Sequence, residues 1–521
     1  MTRINATETT PLIPEIPPEV SDLERNSPDE PKTYSHAFIA RVVVALLIGI
    51  FTSNADGSLV LATHPVIASE FGKLQDSSWL FISFMLASAA SQTIYGKLSD
   101  IFGRKTILIF CYGLFAVGCA LVGAGQSMWQ VILGRVISGS GGAGMTTMAS
   151  VIITELAPLR EVASWQSYMN VIATVGRSIG GPLGGFLADT IGWRWSFLGQ
   201  SPIFAVSMII AAILLPSTTQ TEGATLERIK RIDALGALLL GGSVLAFMVP
   251  LEIGGQKIPW SHPLVPTLAA AGVLLLAAFA LVESRWAKEP IFPLRLLRSG
   301  GVSKTYLIAF GQAAAQLGRV SSTVAGAHLF PAVIGNTVGG IATGLIIKRT
   351  GRYKTLIIFS AVSSITSYTL MLLRWHGQTN WLESLYVFPG GLGMGIAQSA
   401  AFIALQASID PKDKAAASSG IFLAVTLGSV VGMAGTSAAI QGLLRHDIQQ
   451  SLSHLGKSQH FIDEVIQKAA ESVSYLDEAS QPIRRVLVEG YIRGIEYAHG
   501  LSIVFSGITL VTALLLKERK L

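Results

Sequence analysis

The sequence predicts an all-helical membrane protein of fourteen bilayer-spanning helices arranged as two related halves. Three observations predict it. Half of the 521 residues are hydrophobic and 13% are charged, whereas a soluble chain carries about 25% charged residues. Those charges vanish over stretches of about 20 residues and return in short clusters between them, as expected of helices that satisfy their own backbone in lipid. A short segment after the second stretch also recurs after the tenth.

Residues 1–37 are polar, acidic and proline-rich, show no cleavable leader, and read as a disordered cytosolic tail. The spans fall near 42–61, 79–97, 106–125, 129–152, 163–187 and 196–215, which make a first six-helix bundle over 38–215. Spans near 233–251 and 264–282, with their linkers, fill 216–300 as an inserted pair. The second bundle, 301–521, holds spans near 302–318, 323–347, 355–373, 384–406, 416–441 and 498–516, with a long luminal loop at 446–497. Basic residues set the orientation. They gather in alternate short loops, as Lys97, Arg104 and Lys105, then Arg228, Lys230 and Arg231, then Lys348, Arg349, Arg352 and Lys354. Both termini are therefore expected in the cytosol. The net charge of +6 follows from this bias and gives no reason to expect a nucleic-acid partner. Cys111 and Cys119 sit two turns apart on one helix, which precludes a mutual disulfide.

Asp56 interrupts the first span beside a loop-like polar cluster, Thr52-Ser53-Asn54. A carboxylate in lipid is expensive, by roughly 2.5–3.5 kcal/mol on insertion scales, so it marks a candidate functional site, with a helix-packing role as the alternative. At 1.5 Å per residue, Asp56 and Arg177 each lie roughly 21 Å from the cytosolic start of their spans. Arg135 lies roughly 9 Å from the luminal start of the fourth. In a core about 30 Å thick, all three share one level. Opposite charges at one depth should pair or serve a ligand. Asp56 is the candidate titrating or cation-binding group and Arg135 its coupling partner. Arg177 would bind a substrate carboxylate or brace its helix.

The repeated segment reads Gly96-Lys97-Leu98-Ser99-Asp100-Ile101-Phe102-Gly103-Arg104-Lys105 in the first half. Its second copy places Gly344, Gly351 and Arg352 in the same register, with Lys348 where Asp100 stands. Asp100 can accept from the free N–H groups of the next helix or pair with Arg104. This segment resembles the loop motif of the major facilitator superfamily. Asn54-Ala55-Asp56-Gly57 through Pro65 is similar to the first-span motif of its fourteen-span drug:proton antiporter branch, and Leu133 to Gly141, around Arg135, to the fourth-span arginine motif. Gly176-Arg177-Ser178-Ile179-Gly180-Gly181-Pro182-Leu183-Gly184-Gly185 resembles the fifth-span antiporter motif. Its glycines suit close helix approach and Pro182 adds a kink. The resemblance implies that this bend controls proton leak and antiport, with glycine packing alone as the alternative. Within the branch, "GRSIGGPLGGFLAD" and "AGAHLFPAVIGN" are similar to fungal vacuolar basic amino acid transporters.

Further candidates are weaker. His64 sits at a span end and His328 a turn into the tenth span; Asn336, Gln312, Gln316 and Gln398 suit interhelical hydrogen bonds. The join at Gly318-Arg319 is short, which reads as a missing exon or misjudged splice, with a true deletion as the alternative. Apolar runs in 446–497 suggest short amphipathic helices. Glu8, Leu12 and Ile13 fit an acidic dileucine sorting signal for an adaptor.

The resemblance implies a major facilitator fold of two six-helix bundles plus two inserted helices. It implies proton-coupled transport of basic amino acids from cytosol into the vacuole, with the proton gradient as energy source and no cofactor or metal. A multidrug or toxin exporter of the same build, at the plasma membrane or elsewhere, is the alternative. A non-transporting nutrient sensor or inactive relative stays open. No nucleophile–base or metal constellation suggests an enzyme.

Overall fold

The structure, a computed structural model, describes residues 34–216, 227–228, 231–255, 257–287, 289–317, 330–376, 380–454, 456–471, 475 and 479–521. Helices occupy all fourteen expected span positions. In the first half they are α1 His36–Glu70, α2 Trp79–Phe102, α3 Arg104–Ala124, α4 Met128–Leu156, α5 Leu159–Thr190 and α6 Trp193–Leu214, the last stepped at Gly199. The inserted pair is α7 Ala234–Ile253 and α8 Leu264–Arg285. The second half holds α9 Gly300–Leu317, α10 Phe330–Thr350, α11 Lys354–Arg374, α12 Phe388–Gln406, α13 Lys414–His454, a short α14 Gln459–Glu471, and α15 Gln481–Leu515.

Among the described residues, twelve helices are long and apolar enough to cross a membrane. The two remaining span positions, α2 and α9, are more polar, and their polar groups are used inside the protein. On α2, Ser88 Oγ donates to Gly139 O at 2.8 Å, and Gln92 Nε2 donates to Ala143 O at 3.3 Å and to Thr147 Oγ1. On α9, Tyr306 Oη donates to Ala417 O at 3.0 Å and Gln312 Nε2 to Ser364 Oγ at 2.7 Å. Conversely, large apolar side chains such as Val44, Phe110, Leu238 and Leu274 stand exposed on the outer faces, as lipid contact requires.

In the first half α1 packs on α5 and α4 on α2 and α3; in the second α10 packs on α12 and α13 on α9 and α15. The inserted pair leans on α2 and α13 through Ile82, Leu86, Leu240, Val244, Met248 and Val430. Its linkers are tied to the loop motif, because Glu289 bridges Lys97 at 2.9 Å and Arg231 at 2.6 Å.

The repeat has a structural counterpart. Gly103 and Gly351 both turn the chain with positive φ, +88° and +69°, where a side chain would be strained. Gly96 lies so close to Ala415 O and Ser419 on α13 that an added Cβ would stand 2.8 Å and 2.7 Å from them. Gly344 meets Ser164 and Ser167 of α5 in the same way, at 2.8 Å and 2.9 Å. Each half thus presents its repeated glycine to a helix of the other half.

Two expectations change. The Thr52-Ser53-Asn54 cluster is not a loop: α1 runs through it, and Thr52 Oγ1 and Asn54 Nδ2 bond back to Ile48 O and Ile50 O at 2.9 and 2.8 Å. Segment 446–497, expected as a long loop with short amphipathic helices, is not mainly loop either. α13 continues to His454 and α15 begins at Gln481; with α14 they bury Leu444, Ile448, Leu452, Ile462, Val465 and Leu487 together. The join at Gly318-Arg319 lies outside the described residues.

Candidate functional site

Asp56 stands on the face of α1 turned into the first bundle and is fully buried. Its Oδ2 accepts from Arg135 Nη1 of α4 at 2.6 Å, and its Oδ1 from Gln200 Nε2 of α6 at 3.2 Å. Arg135 is 1% exposed; it also donates from Nε to Leu80 O of α2 at 3.1 Å and lies over the Phe84 ring at 4.4 Å. Four helices therefore meet at one carboxylate–guanidinium pair. On its other side α4 packs against α3 through glycines: at Gly134 and Gly118 an added Cβ would stand 2.8 Å or less from the facing backbone.

Arg177 stands apart from this pair. It projects from α5 into a cavity of about 210 Å³ between the two halves, lined by α1, α4 and α5 on one side and α9, α12 and α13 on the other. Its Nε donates to Ala173 O at 3.4 Å, and no carboxylate lies within ion-pair distance among the described residues. Arg177 thus faces the cavity between the halves and does not join the Asp56–Arg135 pair. Asn54, Thr146, Gln166, Asn170, Gln312 and Gln398 add polar lining.

The fifth-span glycines divide by face. Gly176, Gly180 and Gly184 lie on α1: an added Cβ would meet Phe51 O at 2.6 Å, the Ala55 carbonyl closer still, and Leu59 Cγ at 2.9 Å. Gly181 is looser, with an added Cβ 3.8 Å from Ser58 O, and a Cβ at Gly185 would meet nothing within 4 Å. Pro182 lies inside the continuous α5. In the loop motif, Asp100 does not cap α3. It pairs with Arg104 at 2.6 Å, and Arg104 also reaches Glu155 at 2.9 Å and Ser99 at 3.1 Å. Lys348, in the second copy, pairs across the halves with Glu161 at 3.5 Å.

Asn336 is buried between the halves, its Oδ1 accepting from Asn170 Nδ2 at 3.0 Å and Thr174 Oγ1 at 3.4 Å. His64 is half-buried at the far end of α1. His328, Glu8, Leu12 and Ile13 lie outside the described residues. Sequence reasoning missed Gln200, Phe84 and the Leu80 carbonyl. Only Gln200 left a signal, as an amide inside the otherwise apolar "FLGQSPIF".

The Major Facilitator Superfamily model matches residues 46–436. This chain belongs to that superfamily, and it is an integral membrane transporter. It is 29% identical to the vacuolar membrane amino acid uptake transporter fnx2 of Schizosaccharomyces pombe, over 89% of this chain and 82% of that protein. It is 31% identical to the multidrug resistance protein fnx1 of the same yeast, over 89% and 90%. Against vacuolar basic amino acid transporter 2 of Saccharomyces cerevisiae the identity is 25%, over 84% and 97%.

Proposed function

We propose that the chain is a proton-coupled transporter that moves basic amino acids from the cytosol into the vacuole, with both termini cytosolic. The buried Asp56–Arg135 pair beside a cavity between two six-helix bundles carries this reading. Protonation of Asp56 releases Arg135, whose charge must then find other partners, so proton occupancy is felt at once by α1, α2, α4 and α6. Substrate occupies the cavity between the halves, and rocking of the bundles exposes it alternately to either side. The contacts between bundles cluster toward the chain termini: Lys348–Glu161, Ser164 Oγ to Gly344 O at 3.1 Å, and Lys414 Nζ to Thr154 O at 3.3 Å. In the proposed orientation that side is cytosolic, so the described state is closed to the cytosol. The vacuolar relatives support the substrate and the membrane; the proton gradient is the energy source and no cofactor is required.

The fnx1 relationship favours a second reading, a multidrug:proton exporter. The separating experiment measures gradient-dependent uptake of radiolabelled lysine, arginine and histidine into vacuolar vesicles, for the native chain and for Asp56→Asn and Asp56→Glu at matched membrane levels. Uptake by the native chain that is lost in Asp56→Asn and partly kept in Asp56→Glu is expected. Drug uptake without amino acid uptake would replace this reading by the second.

A further inference from the structure

The cavity between the halves carries a positive charge that no acidic side chain among its described lining residues neutralises. Arg177 supplies it, and Asp56 is not part of the lining but is held by Arg135 in the first bundle. Two lining amides are only half used. Gln166, 9% exposed, donates from Nε2 to Ser150 Oγ at 3.3 Å, and Gln312, 2% exposed, from Nε2 to Ser364 Oγ at 2.7 Å. The Oε1 of each is buried and has no partner among the described residues. A buried carbonyl left in that state is unfavourable, and an N–H donor on a ligand would satisfy it. Gln166 belongs to α5 of the first half and Gln312 to α9 of the second.

We infer that this cavity recognises free amino acids as zwitterions, with Arg177 taking the carboxylate and the Gln166 and Gln312 oxygens accepting from ammonium groups. The inference rests on the amino acid reading above and deepens it. A guanidinium matches a carboxylate through paired, charge-assisted hydrogen bonds. A cation with no carboxylate would enter beside an unneutralised guanidinium and be repelled. Size agrees, since about 210 Å³ is below the range of about 300–1,000 Å³ usual for drug-sized ligands. A ligand held by amides from both halves also links occupancy to their relative motion. The basic side chain of the substrate meets neutral amides rather than an acid, so selectivity for basic over neutral amino acids should be modest.

The test is calorimetric binding to the purified full chain in lipid nanodiscs, with lysine, cadaverine (lysine without its carboxylate), glutamine and ethidium as probes. Cadaverine should bind roughly 10- to 100-fold more weakly than lysine, the span expected for a lost charged hydrogen-bond pair. Arg177→Ala should narrow that gap, chiefly by weakening lysine, and Gln312→Leu should weaken lysine with the gap retained. Equal binding of lysine and cadaverine by the native chain would overturn carboxylate recognition while leaving basic amino acid transport standing. Binding of glutamine without lysine would keep the zwitterion site and remove the basic substrate. Ethidium as the sole ligand would overturn both.

Discussion

Asp56 and Arg135 hold each other where neither meets water, and the consequence is asymmetric. Removing one partner of such a buried pair leaves the other uncompensated, at a cost of about 3–5 kcal/mol, while replacing both is far milder. Arg135→Gln alone should therefore lower thermal stability in detergent more than Asp56→Asn combined with Arg135→Gln. An additive double variant would contradict the pairing. This pair was legible in the sequence because a charge inside an apolar run needs a counter-charge at its own depth. Gln200 and Phe84 were not, since they arrive from helices whose approach is decided by tertiary packing. Arg177 exposes the limit of depth arithmetic: rise per residue fixes a level, but which way a side chain faces depends on the neighbouring helices.

At the level of elements, α5 seats on α1 through a ridge of three glycines, Gly176, Gly180 and Gly184. Gly180→Val would drive a side chain into the Ala55 carbonyl and should destabilise by about 1–3 kcal/mol, the usual range for overpacking. Gly185→Ala, with open space at its Cβ, should be close to neutral; thermal unfolding of the two variants checks this. The inserted pair offers a pH-dependent contact. Hydrogen bonds from Arg231 and then Lys97 hold the Glu289 carboxyl below its ordinary value of 4.5. A depressed acid stabilises above that value and loses its effect as pH falls through the lowered one. The stability deficit of Glu289→Gln should thus be present at neutral pH and vanish in strong acid; a deficit that persists there would point to packing instead. All fourteen span positions were visible as stretches poor in charge. Their ends were not, because α13 and α15 continue as polar-faced helices beyond the apolar runs that announce them.

For the molecule as a whole, alternating access requires the halves to part on the side where they now touch. Ser167 Oγ of α5 and Ser399 Oγ of α12 lie 3.1 Å apart across that contact, within reach of a disulfide between substituted cysteines. Ser167→Cys with Ser399→Cys should cross-link on oxidation and stop uptake reversibly, whereas unaltered uptake by cross-linked protein would rule out rocking at this contact. The two-bundle architecture was readable from the repeated glycine-arginine segment; the exchange by which Gly96 and Gly344 each pack on the opposite half required the fold. The central claim is that substrate and proton movements are coupled through Asp56. The direct measurement is lysine-evoked proton flux in proteoliposomes of purified protein enclosing a pH-sensitive dye. Lysine should evoke a flux in the native chain and none in Asp56→Asn, with partial return in Asp56→Glu. An equal flux in native protein and Asp56→Asn, or lysine transport by the native chain without proton movement, would contradict the account.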